Sequence, residues 1–210
     1  MLLRWRNPKN LFQPFSETNL DRYPDIFRFA REQVGDDSSH RILSFGCATG
    51  EEVFSLRRYF PLAHIRGLDI NTRSIAAARR KLRSMGDDRI SFDVAASAAG
   101  ETGRYNAIFC MAVFRHGGLG PSGRNCRCDH LIRFDAFERT LEGLARCLPV
   151  GGLLFVGQSN FRLCDSELSK NYEVVYQGDS APEPLTPIFD RNNRFMPRTG
   201  YGEIGFRKRR

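Results

Sequence analysis

Residues 44–56, "SFGCATGEEVFSL", join the end of an apolar segment to the start of an amphipathic one. Glycine in a turn between a strand and a helix lets the backbone approach a ligand closely and directs free N–H groups towards it. The same glycines also suit a tight turn with no ligand. The stretch therefore predicts a strand, a turn and a helix, and it leaves open whether the turn binds a ligand or is purely structural.

Apolar segments of strand length alternate with helical patterns on both sides of this turn. Such alternation is typical of an α/β fold with a mostly parallel sheet. The helical patterns lie at residues 23–34, 50–60, 71–85 and 133–148. The strands are expected at residues 41–46, 64–70, 90–95, 105–113, 152–159, 172–177 and 202–208.

The composition of the 210 residues, 41% hydrophobic and 27% charged, is typical of a soluble domain with a core. No window is apolar enough to span a bilayer, and the first residues lack the apolar segment of a secretory signal. Six cysteines show no spacing typical of a disulfide framework, so we expect reduced thiols and a cytoplasmic location.

The net charge of +8 leaves a nucleic-acid partner open, with the run "RKRR" at 207–210 as its clearest signal. The remaining arginines are spread along the chain, which is more typical of a solvated basic surface. Nucleic acid is therefore not the favoured partner, and no membrane partner is expected.

The charges around the turn indicate the kind of ligand. Asp69 ends the second predicted strand, about 20 residues after the turn, where an acid can accept hydrogen bonds from ribose hydroxyls. The turn lacks the third glycine of a dinucleotide site, and Glu51 and Glu52 would repel a pyrophosphate but attract a cation. These features favour an adenosine ligand with an ammonium or sulfonium group, which describes S-adenosylmethionine.

Four segments between about residues 18 and 160 resemble one family, the class I S-adenosylmethionine-dependent methyltransferases, and within it the chemotaxis-receptor (CheR-like) enzymes. The segment "GCATGEEVFSL" is similar to their "GCxTGEEPYSL", and "TNLDRYPDIF" to their "TxFFRxxxxF". The segments "AIFCMAV" and "GGLLFVGQSNF" resemble "xIFCRNV" and "GLLFxGHSENF". The resemblance implies a Rossmann-like class I methyltransferase fold, with a mostly parallel seven-stranded sheet, an antiparallel last strand and helices on both faces.

The resemblance also implies a set of cofactor contacts. Thr18 and Arg22 would close over the cofactor carboxylate, and Glu51 or Glu52 would pair with its ammonium group. No acid follows the third strand, so backbone groups would recognise the adenine. The implied cofactor residues are Thr18, Arg22, Gly46, Cys47, Ala48, Gly50, Glu51, Asp69, Ile70, Ala95, Ala96, Met111 and Ala112.

The substrate half of the family pattern is different here. Met111 and Ala112 replace the family's Arg-Asn pair, His116 stands in place of its tyrosine, and the chain has no segment long enough for the family's inserted β-subdomain. A histidine can accept a proton from a hydroxyl or amine near neutral pH, so His116 is the predicted catalytic base. The alternative is a loop histidine that only shapes the pocket.

The sequence "CRCDH" contains three residues that can bind zinc, Cys126, Cys128 and His130. Its Cys-x-Cys spacing is tighter than that of most zinc sites, and no second cluster completes four ligands. We therefore expect no metal, and an ordered or substrate-facing loop.

The sequence predicts one methyltransferase domain over residues 1–210. Residues 1–36 would cover the cofactor, 37–160 would form the binding core, and 161–210 would supply the last strands and a substrate-side loop. The predicted reaction moves a methyl group from S-adenosylmethionine to an O or N atom of a small molecule. The alternatives are a carboxyl methyltransferase acting on a protein glutamate, an inactive binding module of the same fold, and an RNA methyltransferase.

Overall fold

A computed structural model describes residues 12–13, 18–98, 100–120, 126–178, 186–197 and 202–210 of the chain. The described helices are α1 (Pro24–Val34), α2 (Glu51–Tyr59), α3 (Thr72–Met85) and α4 (Phe134–Arg146). The strands are β1 (Arg41–Phe45), β2 (His64–Asp69), β3 (Ile90–Val94), β4 (Ala107–Met111), β5 (Leu153–Gly157), β6 (Tyr172–Gln177) and β7 (Glu203–Lys208).

The seven strands form one sheet in the order β3-β2-β1-β4-β5-β7-β6. Strands β1 to β5 pair in parallel, and β7 runs antiparallel to both β5 and β6. The predicted Rossmann-like methyltransferase fold, with an antiparallel last strand, is confirmed. Because the first five strands share one direction, their carboxyl ends meet at one edge of the sheet.

Aromatic side chains fill both sides of the sheet. On one face the rings of Phe109 and Phe155 stack with their centres 4.8 Å apart, and Phe27 of α1 packs edge-on against Phe109. On the other face Phe114 packs against Phe137 of α4. Strands β4 and β5 are buried along their whole length because both faces are covered, which explains their uninterrupted apolar runs.

Backbone geometry shortens three of the predicted elements at the carboxyl edge. Strand β4 ends at Met111 because Ala112 has φ 60°, and β5 ends at Gly157 because Gln158 has φ 51°. Helix α2 begins only after Gly50, whose φ of 93° is left-handed. These positive φ values lie outside the β and right-handed helical regions.

The basic run at 207–210 is largely engaged within the chain. Lys208 Nζ donates to the carbonyl oxygens of Ala145 and Leu148 at 2.7 and 2.8 Å, so it caps the end of α4. Arg209 forms an ion pair with Glu173 at 3.2 Å. Among the described residues, no helix is long and apolar enough to cross a membrane.

Candidate active site

A cavity of about 400 Å³ opens at the carboxyl ends of β1, β2, β3 and β4. The chain runs from β1 outwards through β2 to β3 and then returns to β4 on the other side of β1. Such a reversal of strand order leaves a crevice at this edge of the sheet. The predicted cofactor residues on its wall are Thr18, Arg22, Gly46, Cys47, Ala48, Asp69, Ile70, Ala95, Ala96, Met111 and Ala112.

The turn after β1 is held tightly against β2. The backbone N–H groups of Gly46 and Cys47 both donate to the Leu68 carbonyl oxygen, at 2.7 and 3.0 Å. Gly46 has φ 76°, and a Cβ built on it would lie 2.4 Å from Val113 Cγ2. Glycine is therefore required at this position for both backbone conformation and space.

Asp69 is fixed by backbone amides from two turns. Ala48 N–H donates to Asp69 Oδ2 at 2.8 Å, and Asn71 N–H donates to Oδ1 at 2.7 Å. Burial raises the pKa of Asp69, although these amide hydrogen bonds oppose the rise. The carboxylate thus lies on the cavity wall in one defined orientation, with acceptor capacity left for a ligand's hydroxyl groups.

Glu52 is the glutamate on the cavity wall, whereas the predicted Glu51 is not among the lining residues. Ser44 Oγ donates to Glu52 Oε1 at 2.7 Å. Burial raises the pKa of Glu52 to about 7, against the opposing effects of Ser44 and the Arg22 guanidinium. Glu51 instead accepts a hydrogen bond from Thr49 Oγ1, so of the two predicted glutamates it is Glu52 that lies on the wall.

Gly50 does not line the cavity either, and its role is in packing. A Cβ at this residue would lie 2.8 Å from Phe92 Cζ and 3.0 Å from Phe54 Cε2. The glycine therefore lets α2 begin close against the aromatic side chain of β3. Its contact with the cofactor stays a prediction.

The segment that carries Thr18 and Arg22 is anchored to α2 through Asp21. The Asp21 N–H donates to Ser55 Oγ at 2.7 Å, and Tyr59 Oη donates to Asp21 Oδ1 at 3.0 Å. Arg58 adds an ion pair to Asp21 at 3.2 Å. These contacts hold the neighbouring residues Arg22 and Tyr23 at the cavity.

His116, the predicted base, is not among the lining residues. Its backbone N–H donates to Asn160 Oδ1 at 2.7 Å, and its ring Nδ1 accepts from Gly118 N–H at 3.0 Å. A backbone amide can only donate, so the neutral ring carries its proton on Nε2 and has no free acceptor nitrogen. This contact orders the loop after β4, and the catalytic role of His116 stays a prediction.

The polar residues on the cavity wall that were not predicted are Gln13, Asn19, Tyr23, Asn71 and Arg115, and two of them, Tyr23 and Arg115, carry an aromatic or charged side chain. Both are adjacent to predicted residues, Tyr23 to Arg22 and Arg115 to His116. Neither position carries a match to a family motif, so the sequence offered no signal beyond that proximity. Ser44, which orients Glu52, was also missed because it lies inside an apolar strand.

The "CRCDH" segment is held by backbone bonds to the residues around 193–195. Cys128 N–H donates to the Asn193 carbonyl oxygen at 3.1 Å, and Phe195 N–H donates to that of Cys126 at 3.0 Å. Burial raises the pKa of the Cys128 thiol to about 12, while Cys126 is exposed. Across the part of the chain that the structure describes, no three His, Cys, Asp or Glu side chains are grouped to hold a metal ion.

Comparison with known proteins assigns the family. Residues 36–193 match the family described as a methyltransferase domain. An uncharacterised protein from Synechococcus is 27% identical over 137 residues, which make up 64% of this chain and 29% of that protein. The chain therefore spans less than a third of the length of that relative.

Two solved structures are similar to the chain at low sequence identity. The [4+2]-cyclase SpnF is 15% identical, with a TM-score of 0.59 over 95% of this chain and 87% of its own. The geranyl diphosphate C-methyltransferase from Streptomyces coelicolor, solved with S-adenosyl-L-homocysteine, is 15% identical. Its TM-score is 0.45, over 62% of this chain and 43% of its own. With three quarters of its length inside the family match, the chain belongs to the methyltransferase domain family.

Proposed function

We propose that this methyltransferase transfers the methyl group of S-adenosylmethionine to an O or N atom of a small molecule. The observation that carries the proposal is the pair of carboxylates on one cavity wall. Asp69 is locked by backbone amides at the end of β2, and Glu52 lies at the start of α2. Asp69 suits ribose hydroxyls and Glu52 suits a cation. S-adenosylmethionine carries both a ribose and an ammonium group.

The cavity residues fit this cofactor group by group. Glu52 would pair with the ammonium, Asp69 and Ile70 would bind the ribose, and Arg22 with Thr18 would hold the carboxylate. Ala95 and Ala96 follow β3, where they would border the adenine. The small residues of the 46–48 turn leave room for the nucleoside, and Met111 and Ala112 at the end of β4 would border the sulfonium.

When bound, the cofactor supplies an activated methyl group on a positively charged sulfur. Its transfer is an in-line displacement, so positioning of the acceptor supplies much of the acceleration. The wall after β4 presents Met111, Ala112 and Val113, none of which can accept a proton. Burial raises the pKa of Tyr23 to about 12, so its phenol stays protonated and cannot act as a base at neutral pH. None of these four residues would therefore take a proton from the acceptor at neutral pH.

Two alternative functions, carboxyl methylation of a protein and methylation of RNA, have less support. The chemotaxis-receptor resemblance rests on the cofactor-binding segments, and a carboxylate acceptor, as in that group, would need no base. Met111 and Ala112 depart from that group at the reacting centre, which supports a different acceptor. The contacts of Lys208 and Arg209 within the chain weigh against an RNA-binding tail.

Calorimetric titration with S-adenosylmethionine and S-adenosylhomocysteine tests the proposal. We expect micromolar binding of both, and a loss of at least 100-fold in affinity for Asp69→Ala, because the ribose loses its acceptor. Arg139→Ala, at an exposed arginine of α4, is the control and should bind as the wild type. Absence of binding to the wild type would contradict the proposed function and leave the turn a purely structural feature.

A further inference from the structure

Two polar atoms at the cavity are buried without hydrogen-bond partners in the part of the chain that the structure describes. Tyr23 Oη and Arg115 Nε each lack a partner among the described residues, and both side chains line the cavity. A buried polar group without a partner costs about 1–3 kcal/mol, so such groups usually meet water, an ion or a ligand. Two of them on one wall point to a polar group that is present only in the liganded protein.

Arg115 is held in place by its neighbours along the chain. Phe114 is fully buried, and its carbonyl oxygen accepts from Asn160 N–H at 2.8 Å. On the other side, His116 N–H donates to the Asn160 side chain at 2.7 Å. Asn160 is itself 1% exposed, so both bonds hold the backbone around Arg115 rigidly to the start of the segment after β5.

The charges on the wall leave Arg115 without a role in cofactor binding. Under the proposed function, Glu52, Asp69 and Arg22 serve the ammonium, the ribose and the carboxylate. The described wall has one further charged side chain, Arg115, and the cofactor offers no second anionic group for it. Arg115 also follows β4, beside the residues that would border the sulfonium.

We propose that the methyl acceptor carries an anionic oxygen group, a carboxylate or phosphate, bound by the Arg115 guanidinium and the Tyr23 hydroxyl. This inference rests on the proposed function and narrows its substrate class. A guanidinium offers parallel N–H donors that match the oxygens of either anion. The phenol of Tyr23, which lines the same cavity, would add a third donor.

The test uses small aromatic probes with and without an anionic group. Protein saturated with S-adenosylhomocysteine is titrated with benzoate, phenyl phosphate and uncharged benzamide. We expect at least one anion to bind at least tenfold tighter than benzamide. The anion with the higher affinity, benzoate or phenyl phosphate, indicates whether the acceptor carries a carboxylate or a phosphate. Arg115→Gln should abolish that preference and Arg115→Lys should keep part of it. Tyr23→Phe should weaken binding of the anion without lowering the melting temperature of the protein, since it removes a hydroxyl that has no partner among the described residues.

Three other results of these titrations would contradict the inference or the proposed function. An anion that binds no better than benzamide, or equally well to Arg115→Gln, would overturn the inference. Arg115→Gln could instead lower the affinity for S-adenosylhomocysteine tenfold and leave the affinity for 5′-methylthioadenosine unchanged. Arg115 would then hold the cofactor carboxylate, because 5′-methylthioadenosine lacks that group. If wild-type protein failed to bind S-adenosylhomocysteine, the proposed function would fall, and the anion titration of the free protein would still report on Arg115.

Discussion

At the scale of single residues, the two carboxylates of the cavity differ in how the protein holds them. Asp69 accepts two backbone N–H groups, one to each of its oxygens, whereas Glu52 has one hydroxyl donor and the more distant Arg22 charge. Fixed amides orient Asp69 for neutral hydroxyls. Glu52 is left undercompensated, with a pKa raised to about 7 by burial, and a cationic ligand would complete its surroundings.

The pKa of Glu52 predicts a pH dependence of ligand binding. An ammonium group binds the carboxylate form, so the affinity for S-adenosylhomocysteine should rise about tenfold from pH 6 to pH 8 and then level off. Glu52→Gln should bind more weakly and with little pH dependence. Glu51→Gln is the matched control, since Glu51 does not line the cavity, and it should reproduce the wild-type profile. A pH-independent wild-type affinity would argue against Glu52 as the ammonium partner.

The same group predicts a pH dependence of stability. The folded pKa of about 7 exceeds the ordinary 4.5, so the native state binds more protons than the unfolded state between these values. The free energy of unfolding should therefore fall as pH rises from about 4.5 to 7, by roughly 3 kcal/mol from this group. Glu52→Gln should lose that decline relative to the wild type, as measured by denaturant unfolding at pH 5 and pH 8. Equal pH profiles for the two proteins would contradict the shift.

At the scale of elements, the ends of the parallel strands carry the unusual backbone geometry. Ala48, Ala112 and Gln158 have positive φ after β1, β4 and β5, and Gly46 adds a fourth such residue. Left-handed backbone costs a residue with a Cβ about 1–2 kcal/mol, and such strain often clusters where a ligand binds. The turns that border the cavity are thus held in their conformations by packing and hydrogen bonds.

Gly46 provides a test of this close packing. Gly46→Ala should destabilise the protein by about 3 kcal/mol, because it combines left-handed strain with a contact of 2.4 Å to Val113. The double change Gly46→Ala, Val113→Ala should recover the part of this loss that comes from the contact with Val113. The part that comes from the left-handed backbone should remain. Gly86→Ala is the control, since Gly86 has φ 69° with nothing within 4 Å of the added Cβ, and it should lose only about 1 kcal/mol. Equal losses for the two glycines in thermal unfolding would show that the Val113 contact is relieved.

At the scale of the whole molecule, Asn160 connects parts of the chain that are distant in sequence. Its side chain accepts from His116 N–H and donates to the Pro187 carbonyl oxygen at 2.6 Å, and its own carbonyl oxygen accepts from Phe189 N–H. One buried amide therefore joins the loop after β4, the end of β5 and the segment 186–197. The position of Arg115 depends on this junction.

Replacement of Asn160 should affect the whole molecule. Asn160→Ala leaves a buried donor and a buried acceptor unpaired, so we expect a loss of about 3 kcal/mol in the free energy of unfolding. The exposed Asn192 is the control, and Asn192→Ala should change stability by less than about 0.5 kcal/mol. Denaturant unfolding measures both. A loss at Asn160 no larger than at Asn192 would mean that the junction contributes nothing to stability.

The sequence by itself determined the fold class and about half of the cavity wall. The signals behind these predictions are local: the periods of the strands and helices, the small residues at 46–48 and the acid at Asp69. Such signals can be recognised from short stretches of sequence. A Rossmann-like sheet brings the ends of its parallel strands to one edge, so residues such as Asp69 and Ala95 could be placed together without coordinates.

The tertiary structure decided which neighbouring residue faces the cavity. Glu51 and Glu52 are adjacent in sequence, and only the packing of α2 against β1, with Ser44 beneath it, selects Glu52. His116 and Arg115 are adjacent too, and the bond from Gly118 N–H to the His116 ring leaves Arg115 to face the cavity. Adjacent side chains on a helix or loop point in different directions, and their directions are set by contacts that are distant in sequence.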